Sequence, residues 1–273
     1  MTASSKTAFL RGTLPLAFVP VLVLVLALLG ACAVPKSAKS VLGPASDRAP
    51  QHGSALVASP WALASLAAPG ATDWLHYRLP GKKPSEFSYQ LLDGQAAMSA
   101  AANGSASMLR RVVRVEPAQL GQLNFSWKLP DLIEYADLAD REFDDSPVRI
   151  VLAFDGDRSK FSAKNAMLSE LAQLLTGDAL PYATLMYVWC NLCPPGTVIE
   201  NPRTDRIRKL PLESGPAKLN RWLYYERDVK RDFEQAFGEA PGALTSISIM
   251  TDTDNTKSTA KAYYGLLKLT SKP

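Results

Sequence analysis

The chain has 273 residues, of which 47% are hydrophobic, and its formal net charge at pH 7 is +4. Domains that bind nucleic acid usually show a marked basic excess, so a chain this close to neutral predicts no nucleic-acid partner. Only two histidines are present, His52 and His76, which excludes most zinc sites and disfavours a serine–histidine–aspartate triad.

The N-terminus has the layout of a bacterial secretion signal. Lys6 and Arg11 precede an apolar stretch at 14–29, which is too short for a membrane-spanning helix of about 20 residues. The stretch ends in the sequence Leu-Gly-Ala-Cys, which closes at Cys32 and resembles the lipobox of bacterial lipoproteins. The resemblance implies cleavage before Cys32 and lipid attachment to it, so a membrane is an expected partner. Ala33 fits sorting to the outer membrane, facing the periplasm.

Three segments are predicted along the chain. The signal peptide covers 1–31, and a flexible tether rich in Ala, Ser and Pro covers 32–71. A short helix around 56–66 is the alternative within that tether. Residues 72–273 are predicted to form the folded domain, because segments rich in β-branched and aromatic residues recur there between turn residues.

Ten strands are predicted in this domain. Asp93-Gly94 and Asn103-Gly104 are both typical of tight hairpins between neighbouring strands. The predicted strands are Trp74–Leu79, Glu86–Leu92, Gln95–Ala102, Ala106–Glu116, Gln122–Leu129, Val148–Phe154, Ala183–Trp189, Arg206–Leu212, Leu244–Thr251 and Ala262–Leu269.

Two helices interrupt the strands. The first covers Ser159–Thr176 and ends at Gly177, and the second follows the capping residue Asp228 and ends at Gly238. Without a strand–helix–strand rhythm, these elements predict a mainly β protein. The expected fold is an antiparallel β-sandwich, of jelly-roll or galactose-binding-like type, with one or two crossover helices. Apolar residues recur at three- and four-residue spacing in the first helix, at Phe161, Met167, Leu168, Leu171, Leu174 and Leu175.

Two acidic stretches are candidates for a binding site. The first comes before Pro147 and contains Asp137, Asp140, Glu142, Asp144 and Asp145. Such crowded carboxylates repel one another unless a cation or an arginine lies among them, and Arg149 follows closely. This stretch is either a calcium or ligand-binding loop or a solvated charged loop.

The second acidic stretch, at 251–256, lies between two predicted strands. Its oxygen-bearing side chains at alternate positions suit calcium, although Asp and Asn are also ordinary turn residues, and Lys257 stands where an EF-hand loop needs glycine. If the two stretches meet, they predict a ligand site of Asp144, Asp145, Arg149, Asp252, Asp254, Asn255 and Thr256. Calcium is the candidate cofactor, with Asp144, Asp145, Asp252 and Asp254 as its ligands.

The pair Cys190 and Cys193 has the spacing of a zinc site, a redox centre or a loop disulfide. A zinc site needs two further ligands, and the sequence has no second cysteine pair. Thioredoxin-type redox chemistry needs the cysteine pair at the N-terminus of a helix that follows a strand. The sequence Pro-Pro-Gly follows instead. We therefore predict a structural disulfide in an oxidising compartment.

A basic stretch contains Arg203, Arg206, Arg208 and Lys209. On a strand, Arg206 and Arg208 would share one face. The stretch either meets a phosphate or carboxylate ligand or pairs with nearby acids on a solvated sheet face.

Aromatic residues form the last group. Adjacent pairs on a strand point to opposite faces, so one member of each pair is predicted to lie in the core and the other to be available for stacking on a sugar ring. The group comprises Trp127, Tyr187, Trp189, Trp222, Tyr224, Tyr225, Tyr263 and Tyr264.

Several of these motifs together resemble a bacterial secreted family known as domain of unknown function 3047, across roughly residues 72–270. The resemblance implies no established activity, and its pattern is similar to that of jelly-roll carbohydrate-binding modules. The cysteine pair is not typical of the family, which marks the pair as a local feature. The segments that carry the resemblance are 144–149, 154–157, 182–189, 201–204, 227–229 with Asp232, 237–238, 251–256 and 262–265.

Three functions remain open at this point. The first is a non-catalytic module of the cell envelope that binds a glycan or another envelope component. The second is a scaffold that holds an envelope protein. The third is a glycoside hydrolase or lyase that uses two carboxylates, although no catalytic residue can be assigned from the sequence.

Overall fold

Two facing β-sheets form most of the structure, a computed structural model that describes residues 59–66 and 71–271. The signal peptide at 1–31, the lipidation site Cys32 and most of the tether lie outside the described residues. Among the helices of the described part, none is both long enough and apolar enough to cross a membrane.

The seven-stranded sheet is antiparallel except where β7 and β9 run parallel. Every residue of β6 is buried, because this central strand is covered on both faces. In spatial order the strands are β1 (Leu75–Arg78), β4 (Ala106–Val115), β11 (Leu244–Asp252), β6 (Ser146–Phe154), β7 (Ala183–Cys190), β9 (Thr204–Ser214) and β8 (Ile199–Asn201).

The second sheet has six strands and packs against the first across an apolar core. Trp127 from this sheet and Tyr187 and Trp189 from the other are among the buried residues between them. In spatial order the strands are β10 (Trp222–Asp228), β5 (Leu120–Lys128), β12 (Thr259–Tyr264), β3 (Gln95–Asn103) and β2 (Glu86–Leu92), with β13 (Lys268–Ser271) also paired to β5. The predicted antiparallel β-sandwich is confirmed.

The two predicted hairpins have different outcomes. Asp93 and Gly94 have φ values of 51° and 79° and join β2 to β3 in a tight hairpin, as predicted. The hairpin at Asn103-Gly104 is wrong, because β3 and β4 belong to different sheets. The chain crosses between the sheets here because Ser105 is held by hydrogen bonds to Ser85 and Thr253.

The strand predictions missed β8 and β10 and merged two others. The predicted strand Ala262–Leu269 is divided into β12 and β13. Gly265 lies between them, where its backbone N–H donates to the carbonyl of Ser126. A side chain at position 265 would displace the hydroxyl of Ser126, so a glycine suits this close approach to β5.

Both predicted helices are present. The helix α2 (Ala163–Thr176) begins after the N-cap Ser162, and α3 (Val229–Phe237) begins after the N-cap Asp228; each ends at a glycine with positive φ. The helix α3 packs Val229 and Phe233 into the core. By contrast, the buried residues of α2 are Asn165 and Ser169. Of its predicted apolar stripe, Met167, Leu171, Leu174 and Leu175 are exposed and Leu168 is half-buried, while Phe161 precedes the helix and packs against the core.

A short helix, α1 (Pro60–Ala64), lies within the segment predicted as tether and matches the alternative considered for it. Trp61 is fully buried, its ring centroid lies 4.8 Å from that of Trp74, and its Nε1 donates to the carbonyl oxygen of Gly265 at 2.8 Å. Residues 59–66 therefore pack as part of the sandwich.

We expect Trp61→Ala to lower the free energy of unfolding by about 3–5 kcal/mol, because it removes a fully buried indole and its hydrogen bond. Urea denaturation measures this. Leu63→Ala is the matched control in the same helix: Leu63 is 67% exposed, and its loss should change stability by no more than about 0.5 kcal/mol. Equal stability of the two variants would contradict the packing of α1.

Candidate functional site

The two acidic stretches meet at one edge of the seven-stranded sheet. The carboxylate of Asp145 accepts hydrogen bonds from the backbone N–H of Asn255 at 3.2 Å and from the N–H and hydroxyl of Thr256, both at 2.7 Å. Asp145 is almost fully buried. Three bonds to one carboxylate fix the loop after β11 against the loop before β6.

A buried network of charges lies beside this contact. Arg149 on β6 is within 3.3 Å of Asp144 and within 3.2 Å of Asp252. Lys209 on β9 is fully buried, reaches Asp144 at 2.7 Å and donates to the carbonyl oxygen of Leu138 at 2.7 Å. Each buried positive charge therefore faces at least one carboxylate, as burial in a low-dielectric interior requires.

The carboxyls of Asp252 and Asp254 interact with each other and titrate together. Burial raises the pKa of Asp252 well above its ordinary value, although Arg149 opposes this. Burial would also raise the pKa of Asp254, but the hydrogen bond from Lys82 outweighs it, so the pKa of Asp254 is lowered. The pKa values of the two carboxyls are thus shifted in opposite directions.

Three of the four predicted calcium ligands come together. Oxygen atoms of Asp145, Asp252 and Asp254 lie within 4.8 Å of one another, whereas Asp144 lies apart from them and bonds Arg149, Lys209 and Asn201. Calcium takes six to eight oxygen ligands. Here Asp252 already faces Arg149, Asp254 already faces Lys82, and both oxygens of Asp145 accept hydrogen bonds, so the group fits a calcium ion poorly. Calcium binding stays a prediction.

These charged residues hold the two loops and the neighbouring strands together, and we call them the latch: Asp144, Asp145, Arg149, Lys209, Asp252 and Asp254. Asp144, Asp145, Arg149 and Asp252 are each less than a tenth exposed, so they present little surface to a ligand. The half-buried Asn255 already has a partner, since its Nδ2 donates to the carbonyl oxygen of Arg141 at 2.7 Å. The sequence left open whether the two loops meet, and the structure brings them together. Ligand binding by them remains a prediction.

The basic stretch pairs with acids, which was one of its two predicted roles. Arg206 contacts Glu239 at 2.7 Å and Arg208 contacts Glu200 at 3.1 Å. Both guanidinium groups also lie over the ring of Phe237, so they share a strand face as predicted. Lys209 lies on the opposite face, in the buried network.

The predicted disulfide between Cys190 and Cys193 is present. Asn191, within the loop it closes, donates through its side-chain amide to the carbonyl oxygens of Ile133 and Ala136 at 2.7 Å and 3.1 Å. The disulfide therefore stiffens a loop that holds the 130–145 segment in place.

A second candidate site is the outer face of the six-stranded sheet. Trp127 and Tyr264 are fully buried in the core, so their strand neighbours point to the opposite, outer face. The adjacent tyrosines divide as predicted: Tyr264 lies in the core while Tyr263 faces outward, and Tyr225 packs against the core while Tyr224 is 70% exposed. Trp222 shares the outer face with Tyr224.

Strand register places three aromatic rings beside a floor of small residues. Trp222 and Tyr263 both pair with Lys128, one from each side, and Tyr263 pairs in turn with Ser99. Two residues along, Tyr224 pairs with Ser126. The small outward residues on the neighbouring strands are Ser88, Ala97, Ser99, Ala101 and Ser126.

Two recesses lie on this face. One of about 310 Å³ is lined by residues that include Gln95, Asn124 and Tyr224. The other, of about 750 Å³, is lined by residues that include Ser88, Ser99 and Lys261 and extends to the sheet edge. Ala97 and Ser99 are almost completely buried although they point outward, which places them at the bottom of the face.

An unsatisfied hydrogen-bond donor belongs to the same face. The side-chain Nε2 of Gln90 is buried, and within the described part of the chain it has no acceptor. Gln90 pairs with Ala97 in the sheet and therefore points to the outer side. Buried donors in proteins nearly always find a partner, so this amide is poised to donate to a water or to a bound hydroxyl.

Sequence reasoning found some of these residues and missed others. It named the three aromatic residues, whose adjacent partners signalled a two-faced strand. It did not identify Gln90 or the Ser and Ala floor, since small polar residues in strands carry no signal until strand order is known. Lys82 was also missed, because its partner Asp254 is distant in sequence.

The fold and the two candidate sites describe a β-sandwich protein with aromatic residues on the outer face of its six-stranded sheet. Over residues 72–268 the sequence matches the family described as "Protein of unknown function (DUF3047)", and the chain belongs to this family. A comparison with curated proteins finds no match.

Solved structures with a similar fold are distant in sequence. The xyloglucanase domain of NopAA, a type three effector from Sinorhizobium fredii, is 11% identical with a TM-score of 0.41, covering 76% of this chain and 97% of that one. Endoglucanase 3 of Trichoderma harzianum, from family GH12, is 9% identical with a TM-score of 0.38, covering 76% and 93%. SGBP-B from a xyloglucan utilization locus in Bacteroides uniformis is 11% identical with a TM-score of 0.28, covering 76% and 57%. Similarities this distant carry no functional argument.

The buried lysine of the latch gives a testable pH dependence. Burial, with a contribution from Arg149, lowers the pKa of Lys209 from 10.5 to about 8, although Asp144 opposes the shift. Between these two values the unfolded chain binds more protons than the folded chain, so the free energy of unfolding rises with pH. From about pH 7.5 to about pH 9.5 the gain should be about 2 kcal/mol.

The measurement is urea denaturation across this pH range for the wild type and for Lys209→Met, which keeps a side chain of similar length without the titrating group. The variant should be less stable at every pH and should lack the rise. A rise of equal size in both proteins would assign the pH dependence to another group.

Proposed function

We propose that this protein is a non-catalytic module that binds a glycan of the cell envelope on the outer face of the six-stranded sheet. The observation that carries the proposal is the placement of Trp222, Tyr224 and Tyr263 together beside a floor of serine and alanine residues. Binding sites for small molecules and chain ligands are concave, rich in aromatic surface and equipped with a few polar groups.

Each feature of the face matches part of a sugar ring. The apolar C–H faces of pyranose rings can pack on tyrosine and tryptophan rings, whose burial is energetically favourable. The amides of Gln90, Gln95 and Asn124 each offer both a donor and an acceptor for hydroxyl groups. The small floor residues leave room for a ring to lie against the sheet, and the free Nε2 of Gln90 gains an acceptor when a hydroxyl binds.

The charges of this face do not support hydrolysis. Glycoside hydrolysis needs two carboxyl groups about 5–10 Å apart. Glu86 is on edge strand β2 and Glu226 on edge strand β10, four strand spacings apart, or about 19 Å. Asp93, at the hairpin, is held by Lys128 at 2.8 Å and by the indole N–H of Trp222 at 2.9 Å. These acids suit binding and ring placement rather than bond cleavage.

We also propose that the protein is anchored through lipid on Cys32 to the bacterial outer membrane, facing the periplasm. The support is the sequence alone: the basic n-region, the apolar stretch and the Leu-Gly-Ala-Cys ending. Several acyl chains hold a protein on a membrane almost permanently, since each buried CH₂ contributes about 0.8 kcal/mol. Such an anchor would confine the binding face to the envelope, where its glycan ligand is found.

The binding face is tested by Tyr224→Ala combined with Tyr263→Ala. Titration calorimetry against a panel of envelope glycans should show binding by the wild type and at least a tenfold loss in the double variant, because two stacking rings are removed. Tyr135→Ala is the matched control, since Tyr135 is 75% exposed in the loop before β6 and off the sheet face. This control should bind as the wild type does.

Undiminished binding by the tyrosine variant would contradict the proposed face. The acidic latch is tested in parallel with Asp252→Asn combined with Asp254→Asn. If that variant loses glycan binding while keeping the wild-type free energy of unfolding, the ligand site lies at the latch and not on the sheet.

The anchor is tested by growing cells with labelled palmitate and isolating the protein. The wild type should incorporate label and fractionate with the outer membrane, because the thiol of Cys32 is the proposed acylation site. Cys32→Ser should incorporate none. Label retained in Cys32→Ser, or wild-type protein recovered from the soluble fraction, would refute the anchor.

A further inference from the structure

The helix α2 turns its apolar side to the solvent. Met167, Leu171, Leu174 and Leu175 are all more than half exposed and recur at the spacing that places them along one side of a helix. A helix that packs on a soluble domain normally does the reverse and buries its apolar stripe. We call these four residues the α2 stripe.

Specific hydrogen bonds fix α2 in this orientation. The buried Asn165 donates from Nδ2 to Asp205 at 2.6 Å, and its Oδ1 accepts from the hydroxyl of Thr204 at 2.8 Å. Ser169, also buried, contacts Arg158 through its Oγ at 2.9 Å. The inner side of the helix therefore makes polar contacts with the domain. If the helix rotated so that the α2 stripe faced the sheet, Asn165 would lose its hydrogen-bond partners.

The C-terminal end of α2 and the helix α1 both contact β4, at neighbouring residues whose side chains point to opposite faces of the sheet. Asp178, just after α2, pairs with Arg110 on β4 at 3.3 Å. The next residue on that strand, Arg111, donates to the carbonyl oxygens of Ala62 and Ser65 at the end of α1. The described chain begins at Ser59, just before α1, and Cys32 precedes Ser59 by 27 residues in the sequence.

We propose that the α2 stripe lies in the surface of a lipid bilayer and serves as a second attachment, a proposal that rests on the lipid anchoring proposed above. An apolar helix face inserts about 5–10 Å into the boundary between headgroups and acyl chains. The exposed Lys164 in the first turn of α2, and Lys160 just before the helix, would meet the phosphate groups of the lipids.

This attachment would also orient the binding face. The side chain of Arg110 is on the outer face of the seven-stranded sheet, because its neighbours Leu109 and Val113 point into the core. The helix α2 is therefore on the opposite side of the sandwich from Tyr224 and Tyr263. With the α2 stripe on the bilayer, the proposed glycan face points away from the membrane.

The experiment uses residues 33–273 produced without lipid, since the described core lies entirely within 59–271. The protein is mixed with vesicles of phosphatidylethanolamine and phosphatidylglycerol in a three-to-one ratio and floated on a sucrose gradient. The wild type should float with the vesicles. Leu171→Gln combined with Leu174→Gln and Leu175→Gln should reduce the bound fraction at least tenfold, and Leu174→Gln alone severalfold.

The matched control is Leu91→Gln combined with Leu192→Gln, because both leucines are more than half exposed and neither belongs to α2. This control should float as the wild type does. Wild-type flotation by the triple variant overturns the proposal. So does a wild type that ignores vesicles and forms a dimer in sedimentation that the triple variant loses, because a second copy then covers the α2 stripe.

Failure of this proposal can be told apart from failure of the others. The protein carries no lipid in the flotation assay, so the result does not depend on acylation of Cys32. Tyr224→Ala combined with Tyr263→Ala should float normally while losing glycan binding, and the triple leucine variant should bind glycan normally.

Discussion

The buried ion pairs around Arg149 are the constraint on which the arrangement of this sandwich depends. They join the segment of Asp144 and Arg149, at the start of β6, to Lys209 on β9 and to Asp252 at the end of β11, two strands that are far from it in sequence. Removal of one partner from such a network leaves an uncompensated buried charge, which costs about 3–5 kcal/mol. The loops can therefore adopt only the arrangement that satisfies Arg149, Lys209 and the carboxylates together.

This constraint makes the two outer faces of the sandwich different from each other. The loop before β6 is held down by Lys209 at the carbonyl of Leu138 and by Asn191 at Ile133 and Ala136, so it covers part of the seven-stranded sheet. Leu138 packs there on Val188. The six-stranded sheet carries Trp222, Tyr224 and Tyr263 on its outer face, beside the buried small residues Ala97, Ser99 and Ser126. The buried charges and the proposed binding face therefore belong to different sheets.

Local patterns could be predicted from the sequence, and pairings between distant segments could not. The caps Ser162 and Asp228, the hairpin at Asp93-Gly94 and the division of Tyr263 from Tyr264 each follow from a few neighbouring residues. The crossing at Asn103-Gly104 has the same local sequence features as a hairpin, and only the contacts of Ser105 in the other sheet distinguish it. Likewise, the pairing of Lys209 with Asp144 depends on the parallel pairing of β7 with β9, which no local pattern reports. Trp61 was overlooked because its alanine- and proline-rich surroundings are typical of a tether.

The helix α2 shows why periodicity predicts a helix better than it predicts the helix's partner. Leucines at three- and four-residue spacing give the same pattern whether the stripe meets a sheet, a second protein or a bilayer. In α3 the stripe meets the core, because Phe233 and Phe237 stack on one another, with Phe233 buried against Phe154. In α2 the inner positions hold Asn165 and Ser169, whose hydrogen-bond partners are polar groups of the domain, so those positions decide the orientation. With its polar side turned to the domain, α2 has no apolar surface of the described part of the chain over its exposed leucines. The membrane proposed above would supply that apolar partner.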